Sequence, residues 1–355
     1  MELKDLGWSD FFAGHFKPYA DAGFKPARVA VEHRGGYELC SVEGDTTAEV
    51  SGRFRHQAAK PGDFPAVGDW VAVQHLAAEA KAVIHAVLPR RSRFSRTAAG
   101  DTGDEQILAA NVDMLFVVSS LDANLNTRRI ERYLTLAWES GANPIVVLTK
   151  ADLCADTADA VRHVECVAGG APVIAISTFN GHGLEQLRRY LRPAETSALI
   201  GSSGVGKSTL INHFCGDDIL AVQPVRDSDG KGRHTTTRRE LIVLPSGALM
   251  IDTPGMRELQ LWEGDEGLGE VFSDITALAP GCRFTDCRHE TEPGCAVLAA
   301  IANGQLDPAR LASHQKLRRE LEHFDRRHDP IAQARQRQRV KVIMRSYRAN
   351  FKNKR

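Results

Sequence analysis

At 355 residues, the chain is long enough for two or three domains, with the charged and apolar fractions of an ordinary water-soluble protein. No apolar run reaches the roughly eighteen residues of a membrane span, and residues 1–12 lack the basic-then-apolar pattern of a secretion signal. The expectation is a cytoplasmic protein with no membrane partner.

The formal net charge of zero conceals an uneven layout. From Pro308 onward 15 Lys and Arg stand against 4 Asp and Glu, and Ile331–Arg355 holds nine Lys and Arg with no acid. Such a block suits a nucleic-acid or acidic partner, or equally a solubilising tail.

Residues 1–27 read as an irregular or helical lead-in. Five short β-like runs follow within residues 28–93: Arg28–His33, Tyr37–Val42, Thr46–Arg53, Asp69–Gln74 and Lys81–Leu88. Gly35-Gly36 signals a hairpin, and Pro61-Gly62 with Pro65 marks a loop. Closely spaced strands of this kind fit a small barrel, either an OB-fold, which binds oligonucleotides, or an SH3-like barrel. Arg90-Arg91-Ser92-Arg93, with Arg96, reads as a basic linker.

From 94 to 261 the texture changes to β/α alternation, which predicts a mainly parallel sheet covered by helices on both faces. Strands are expected at Met114–Val118, Pro144–Leu148, Val173–Ile176, Ser197–Ile200, Glu240–Leu244 and Leu249–Ile251. Helices are expected at Arg128–Ser140, near Ala158–Cys166, at Leu184–Leu191 and at Lys207–Phe214. Residues 262–330 hold a cysteine cluster and then helices, Leu298–Ala302 and Pro308–Phe324. The basic end, 331–355, also reads as helical.

Gly201-Ser202-Ser203-Gly204-Val205-Gly206-Lys207-Ser208-Thr209 fits the phosphate-loop pattern between a strand and a helix. Its glycines let backbone N–H groups face phosphates, and the helix N-terminus adds partial positive charge. Lys207 is placed to reach the β- and γ-phosphates and Ser208 to bind Mg²⁺. Asp252-Thr253-Pro254-Gly255 closes a strand, where an aspartate holds Mg²⁺ and Gly255 brings an N–H to the γ-phosphate. Between them, Gly230–Thr237 suits a switch loop that orders around Mg²⁺ and the γ-phosphate through Thr235, Thr236 or Thr237.

Thr149-Lys150-Ala151-Asp152 follows a strand, and an aspartate there can accept two hydrogen bonds from guanine, which adenine cannot supply. At about 1.5–3 kcal/mol each, two such bonds give roughly 10²- to 10⁴-fold selectivity. The aliphatic stem of Lys150 covers a purine face. Ser177-Thr178 closes the next strand as a second base loop. These motifs resemble those of the small GTPase superfamily, but here the base readers precede the phosphate motifs, so the order is circularly permuted. Chain ends that lie close together make such a permutation tolerable. Met256 stands where Ras-like enzymes carry a water-orienting Gln, so intrinsic turnover is expected to be weak. His234, in the switch loop, is the candidate replacement.

Seven cysteines, an odd number, argue against a fully paired disulfide framework. Cys282-x₄-Cys287-x-His289-x₅-Cys295 supplies three thiolates and an imidazole, a closed tetrahedral set for one structural Zn²⁺.

Over Arg28 to about Phe324, the barrel, the permuted GTPase motifs and the Cys/His cluster resemble the RsgA (YjeQ) family. The resemblance implies a multidomain α/β protein: an OB-fold, a permuted P-loop GTPase domain and a zinc-binding helical domain, acting as a monomer. It further implies slow GTP hydrolysis with Mg²⁺, stimulated by the small ribosomal subunit and its rRNA, in late subunit maturation. Other assembly factors are implied partners, among them ribosome-binding factor A, which the family releases. All four metal positions of the family are present; Thr149 departs from its usual Asn, and a hydroxyl replaces only part of that amide's bonding.

Overall fold

The computed structural model describes residues 1–33, 35–76, 81–97, 105–122, 125–216, 239–252 and 266–328. In the first part of the chain, helix α1 (Asp10–Asp21) precedes strands β1 (Lys25–His33), β2 (Gly36–Cys40) and β3 (Thr46–Val50). Helix α2 (Gly52–Gln57), β4 (Trp70–Leu76) and β5 (Lys81–Val87) complete it. The strands run β1-β2-β3-β5-β4, and β4 pairs back onto β1 to close the barrel. β3 and β5 run parallel while the other barrel pairs are antiparallel. That order is the OB arrangement and decides against the SH3-like alternative. Alternate residues fill the barrel with Val29, Leu39, Val71, Val73 and Ile84, all fully buried. Phe12 and Phe16 of α1 plug one side, with Trp8 packed edge-on against Trp70 at 4.6 Å.

The sequence reading ran the third strand through Arg53. Instead Ser51 caps α2, its hydroxyl accepting the N–H of Phe54 at 3.1 Å, and the chain turns helical. A hairpin of β6 (Arg93–Thr97) and β7 (Glu105–Ala110) follows, where no strand was expected. The basic linker is also corrected. Arg90 sits against the fully buried Asp69 at 2.7 Å, and Arg91 pairs with Asp113, so both guanidiniums are structural.

Next come β8 (Met114–Ser120), α3 (Thr127–Ser140), β9 (Asn143–Thr149), α4 (Thr157–Glu165), β10 (Val173–Ala175), α5 (Leu184–Arg188), β11 (Thr196–Ile200), α6 (Lys207–Cys215), β12 (Glu240–Val243) and β13 (Leu249–Asp252). The sheet order is β10-β9-β8-β11-β13-β12, parallel except for β12 at the end. β11 is third in space from its β12 edge yet fourth in sequence, as a permuted small-GTPase sheet requires. Leu115, Val117, Ile200 and Ile251 belong to the apolar cluster that includes α3, and Phe116, Val147 and Leu199 to the one that includes α5 and α6, which gives the sheet two apolar layers.

Val31 of the barrel pairs with Glu240 of β12, so barrel and GTPase strands form one continuous sheet. The fully buried Arg28 guanidinium fastens the same seam. It donates to the carbonyls of Leu6, Gly68 and Asn111 and to the Thr196 hydroxyl. Burial pulls its pKa down to about 10, which leaves it charged at neutral pH.

Beyond the sheet lie α7 (Glu266–Val271), α8 (Ser273–Leu278), α9 (Ala296–Ala302) and α10 (Pro308–His328). Arg310 of α10 joins them to α3, bonding Glu131 at 2.7 Å and Asp274 at 2.6 Å with both Arg310 and Glu131 buried. Among the described residues no helix is long and apolar enough to cross a membrane.

Candidate nucleotide site and metal centre

β11, buried along all five residues, delivers the phosphate loop at its carboxyl end. Gly201 is required by packing: a Cβ there would lie 2.3 Å from the Val118 carbonyl oxygen of β8. Gly206, at φ 92°, takes a left-handed conformation, and α6 begins at the next residue. Ser202, Ser203, Lys207, Ser208 and Thr209 stay partly open to solvent, Gly204 is exposed, and Val205 is buried beneath them. The Lys207 ammonium donates back to the carbonyls of Gly201 at 2.9 Å and Ser202 at 2.7 Å, which holds it over the loop.

β13 lies parallel beside β11, with Ala198 opposite Ile251, so Asp252 reaches the same sheet end as the loop. Burial pushes its carboxyl up to about 6; the nearby Lys207 pulls it down and Glu240 raises it further. A serine at the helix start and a partly desolvated aspartate at one sheet end offer oxygen donors suited to Mg²⁺, with the Lys207 ammonium beside them.

The candidate base-reading residues arrive from the other side of β11. Lys150 adopts φ 59°, a left-handed turn that ends β9 and starts a short 3₁₀ turn over Ala151–Leu153. The Ser177 hydroxyl donates to Asp152 at 2.5 Å while accepting the N–H groups of Phe179 at 3.2 Å and Asn180 at 3.4 Å. The two base loops therefore hold one another. Ala151 is buried, and its N–H bonds the Ile176 carbonyl at 3.0 Å, so its part is to dock these loops.

Two side-chain links tie these loops together. The Thr149 hydroxyl lies 2.6 Å from the Val205 carbonyl, joining the base loop directly to the phosphate loop, with the Ser119 carbonyl at 3.3 Å as a weaker acceptor. Asp122, just past β8, accepts the Lys150 ammonium at 2.8 Å and the Ser120 hydroxyl at 2.8 Å. Tethered at its tip, Lys150 presents its methylene stem in a fixed place. An acid 28 residues upstream gives no local signal, because only the parallel pairing of β8 with β9 brings it near.

The switch-loop residues His234, Thr235, Thr236 and Thr237 lie outside the described residues, as do Gly255 and Met256. The basic end, 331–355, does too.

Cys282, Cys287, His289 and Cys295 converge, with all four ligand atoms within 4.8 Å of one another. Zn–S bonds near 2.3 Å and a Zn–N bond near 2.0 Å set tetrahedral edges of about 3.8 Å for S···S and about 3.5 Å for S···N. Cys282 Sγ lies 3.8 Å from Cys295 Sγ and 3.6 Å from His289 Nδ1, and His289 Nδ1 lies 3.3 Å from Cys295 Sγ. Cys282, His289 and Cys295 thus stand at tetrahedral spacing, and Cys287, within 4.8 Å of each, is the fourth donor of a group that could hold a metal ion. Burial opposes ionisation of Cys282, but the N–H groups of Ala296 and Val297 at the start of α9 outweigh it and lower the thiol's pKa. Outer support comes from Glu292, whose carboxylate accepts the N–H groups of Arg288, Glu290 and Thr291, and from Gln315 of α10, which donates to the His289 carbonyl at 2.8 Å.

The family model described as RsgA GTPase matches residues 87–262. The chain is 50% identical to the small ribosomal subunit biogenesis GTPase RsgA of Opitutus terrae over 98% of each chain. It is 42% identical to the protein of that name from Syntrophotalea carbinolica over 97% of this chain and 96% of the other. Among solved structures, YjeQ from Thermotoga maritima matches with a TM-score of 0.63 and 28% identity, covering 84% of this chain and 98% of that one. A second, YloQ, described as a circularly permuted GTPase, matches with a TM-score of 0.60 and 25% identity, covering 84% of this chain and 96% of that one.

Proposed function

The chain belongs to the RsgA GTPase family and is a GTP hydrolase, and from that premise we propose that it works on the small ribosomal subunit. It binds the subunit and its rRNA, hydrolyses GTP slowly until the subunit accelerates it, and assists late maturation, including release of ribosome-binding factor A. The relatives' names carry the subunit. The observation that supports the chemistry is the hydroxyl bridge from Thr149 to Val205, which makes base reader and phosphate cradle one pocket.

In this reading Asp152, steadied by Ser177, selects guanine, and Lys150 covers the base. Gly201 to Thr209 hold the phosphates with Lys207, and Gly255 supplies an N–H at the γ-phosphate. Ser208 and Asp252 hold Mg²⁺, which neutralises phosphate charge during transfer. Thr235 or Thr236 completes that shell, and His234 aligns the attacking water in place of the missing glutamine. The Cys₃His set holds one structural Zn²⁺. Residues 28–93, 94–261 and 262–330 are the barrel, GTPase and metal units. The first and last of these, with the basic end, carry the RNA contacts.

The test is phosphate release under multiple turnover, titrated separately with small and large subunits. Acceleration by small subunits alone is expected. Binding without acceleration would instead make the chain a GTP-dependent RNA-binding module in which hydrolysis is incidental.

A further inference from the structure

The carboxylate of Asp152 can take only one edge of guanine, the one that carries N1–H and the exocyclic amine. With that edge held, the five-membered ring of the purine extends back toward the ribose and the phosphates, which brings its N7 to the side of the phosphate loop. Thr149 stands on that side. Its hydroxyl lies 2.6 Å from the Val205 carbonyl, and a Cβ built on Gly206 would lie 4.0 Å from the same oxygen. N7 is a bare acceptor, so only a donor can read it.

The side-chain donors of the base loops are already committed. A hydroxyl carries one proton, and that of Thr149 goes to Val205, with the Ser119 carbonyl at 3.3 Å as the alternative. Both Thr149 and Val205 are buried. Turning the proton to N7 would strand the Val205 carbonyl, which loses more than one new hydrogen bond returns. The Ser177 hydroxyl is spent on Asp152 at 2.5 Å, and the Lys150 ammonium is drawn to Asp122 at 2.8 Å. An asparagine at 149, with two amide protons, would keep the Val205 bond and still offer one proton to N7. Threonine has none to spare.

We propose that this chain reads guanine by its N1–H and amine edge alone and leaves N7 unread, with Thr149 as the residue that sets this relaxed specificity. Its substrate class then includes 7-deazaguanine nucleotides, which match guanine in shape but carry C–H at position 7. The inference rests on Asp152 as the base reader and narrows that reading to one edge of the base.

The test is competition on the full chain with Mg²⁺, in which GTP, 7-deaza-GTP, ITP and ATP each displace a fluorescent GDP analogue. For the wild type, GTP and 7-deaza-GTP should agree within about twofold, while ITP, which lacks the exocyclic amine, should bind about tenfold or more weakly. Thr149→Asn should create the missing discrimination, 7-deaza-GTP falling about fivefold behind GTP with the ITP ratio unchanged. Thr149→Ser keeps the single proton and should keep both wild-type ratios. A larger wild-type preference for GTP over 7-deaza-GTP would overturn the proposal and pass N7 to another donor, such as the exposed Thr178. If Thr149→Asn binds GTP and still treats the two alike, position 149 does not face N7 and the proposal falls. Should that variant fail to bind any nucleotide, the wild-type and serine ratios decide alone. In each of these cases a surviving preference for GTP over ITP and ATP leaves the base-reader assignment standing. If ITP or ATP competes as well as GTP, that assignment fails and the narrower reading falls with it.

Discussion

Thr149→Val removes one hydroxyl from a buried position and nearly preserves its shape. Thr149 is 5% exposed, and its proton is directed to the Val205 carbonyl at 2.6 Å. The substitution leaves that carbonyl shielded from water with no donor, a penalty of about 1–3 kcal/mol. Movement of the phosphate loop relieves part of it, and the ligand must then restore the loop on binding. If about 1–2 kcal/mol appears in affinity, the Kd for nucleotide rises roughly 5- to 30-fold. The bridge ignores the γ-phosphate, so GTP and GDP should weaken by the same factor. Asp152 is untouched, so selection against ATP should survive. Titration of a fluorescent guanine nucleotide, with unlabelled GTP, GDP and ATP as competitors, reads all three quantities. Unchanged Kd values would refute the bridge, and a loss confined to GTP would mean that Thr149 acts through the switch.

Asp122→Ala frees the tip of Lys150 and should raise KM for GTP about threefold with kcat unchanged, the scale of a half-exposed ion pair; an unaltered KM would show that the tether is idle. Arg310→Met strands the buried Glu131 and should cost about 3–5 kcal/mol, seen as a clear drop in melting temperature with nucleotide affinity retained. A drop of only a degree or so would contradict it. Cys295→Ser should abolish the one bound metal ion per chain by elemental analysis and loosen α9, whose first turn the sulfur caps at 3.4 Å. Full metal content in that variant would remove Cys295 from the ligand set.

The chemistry-bearing loops were legible because backbone demands write themselves locally. Glycine at 201 and 206, lysine at 207 and an aspartate closing β13 each answer a need set by neighbours in sequence. The barrel was legible as five strands, but its type was not, since only the β3–β5 and β1–β4 pairings separate the OB arrangement from its rival. Partnerships across distance stayed hidden. Arg90 and Arg91 read as a charged linker until Asp69 and Asp113 appear beside them, and Asp122 gave no hint of Lys150. The start of α2 was readable in principle from Ser51 as a cap, but the β-like run before it suggested that the strand continued.

The single ladder contact between Val31 and Glu240 means that β12 is no free border. A GTPase fragment cut away at the barrel would lose the Val31 partner of Glu240 and leave the outer edge of β12 without any strand beside it. A bare strand edge recruits other strands, so such a fragment should self-associate, and the barrel also serves as a guard that keeps the enzyme from sticking to its own copies.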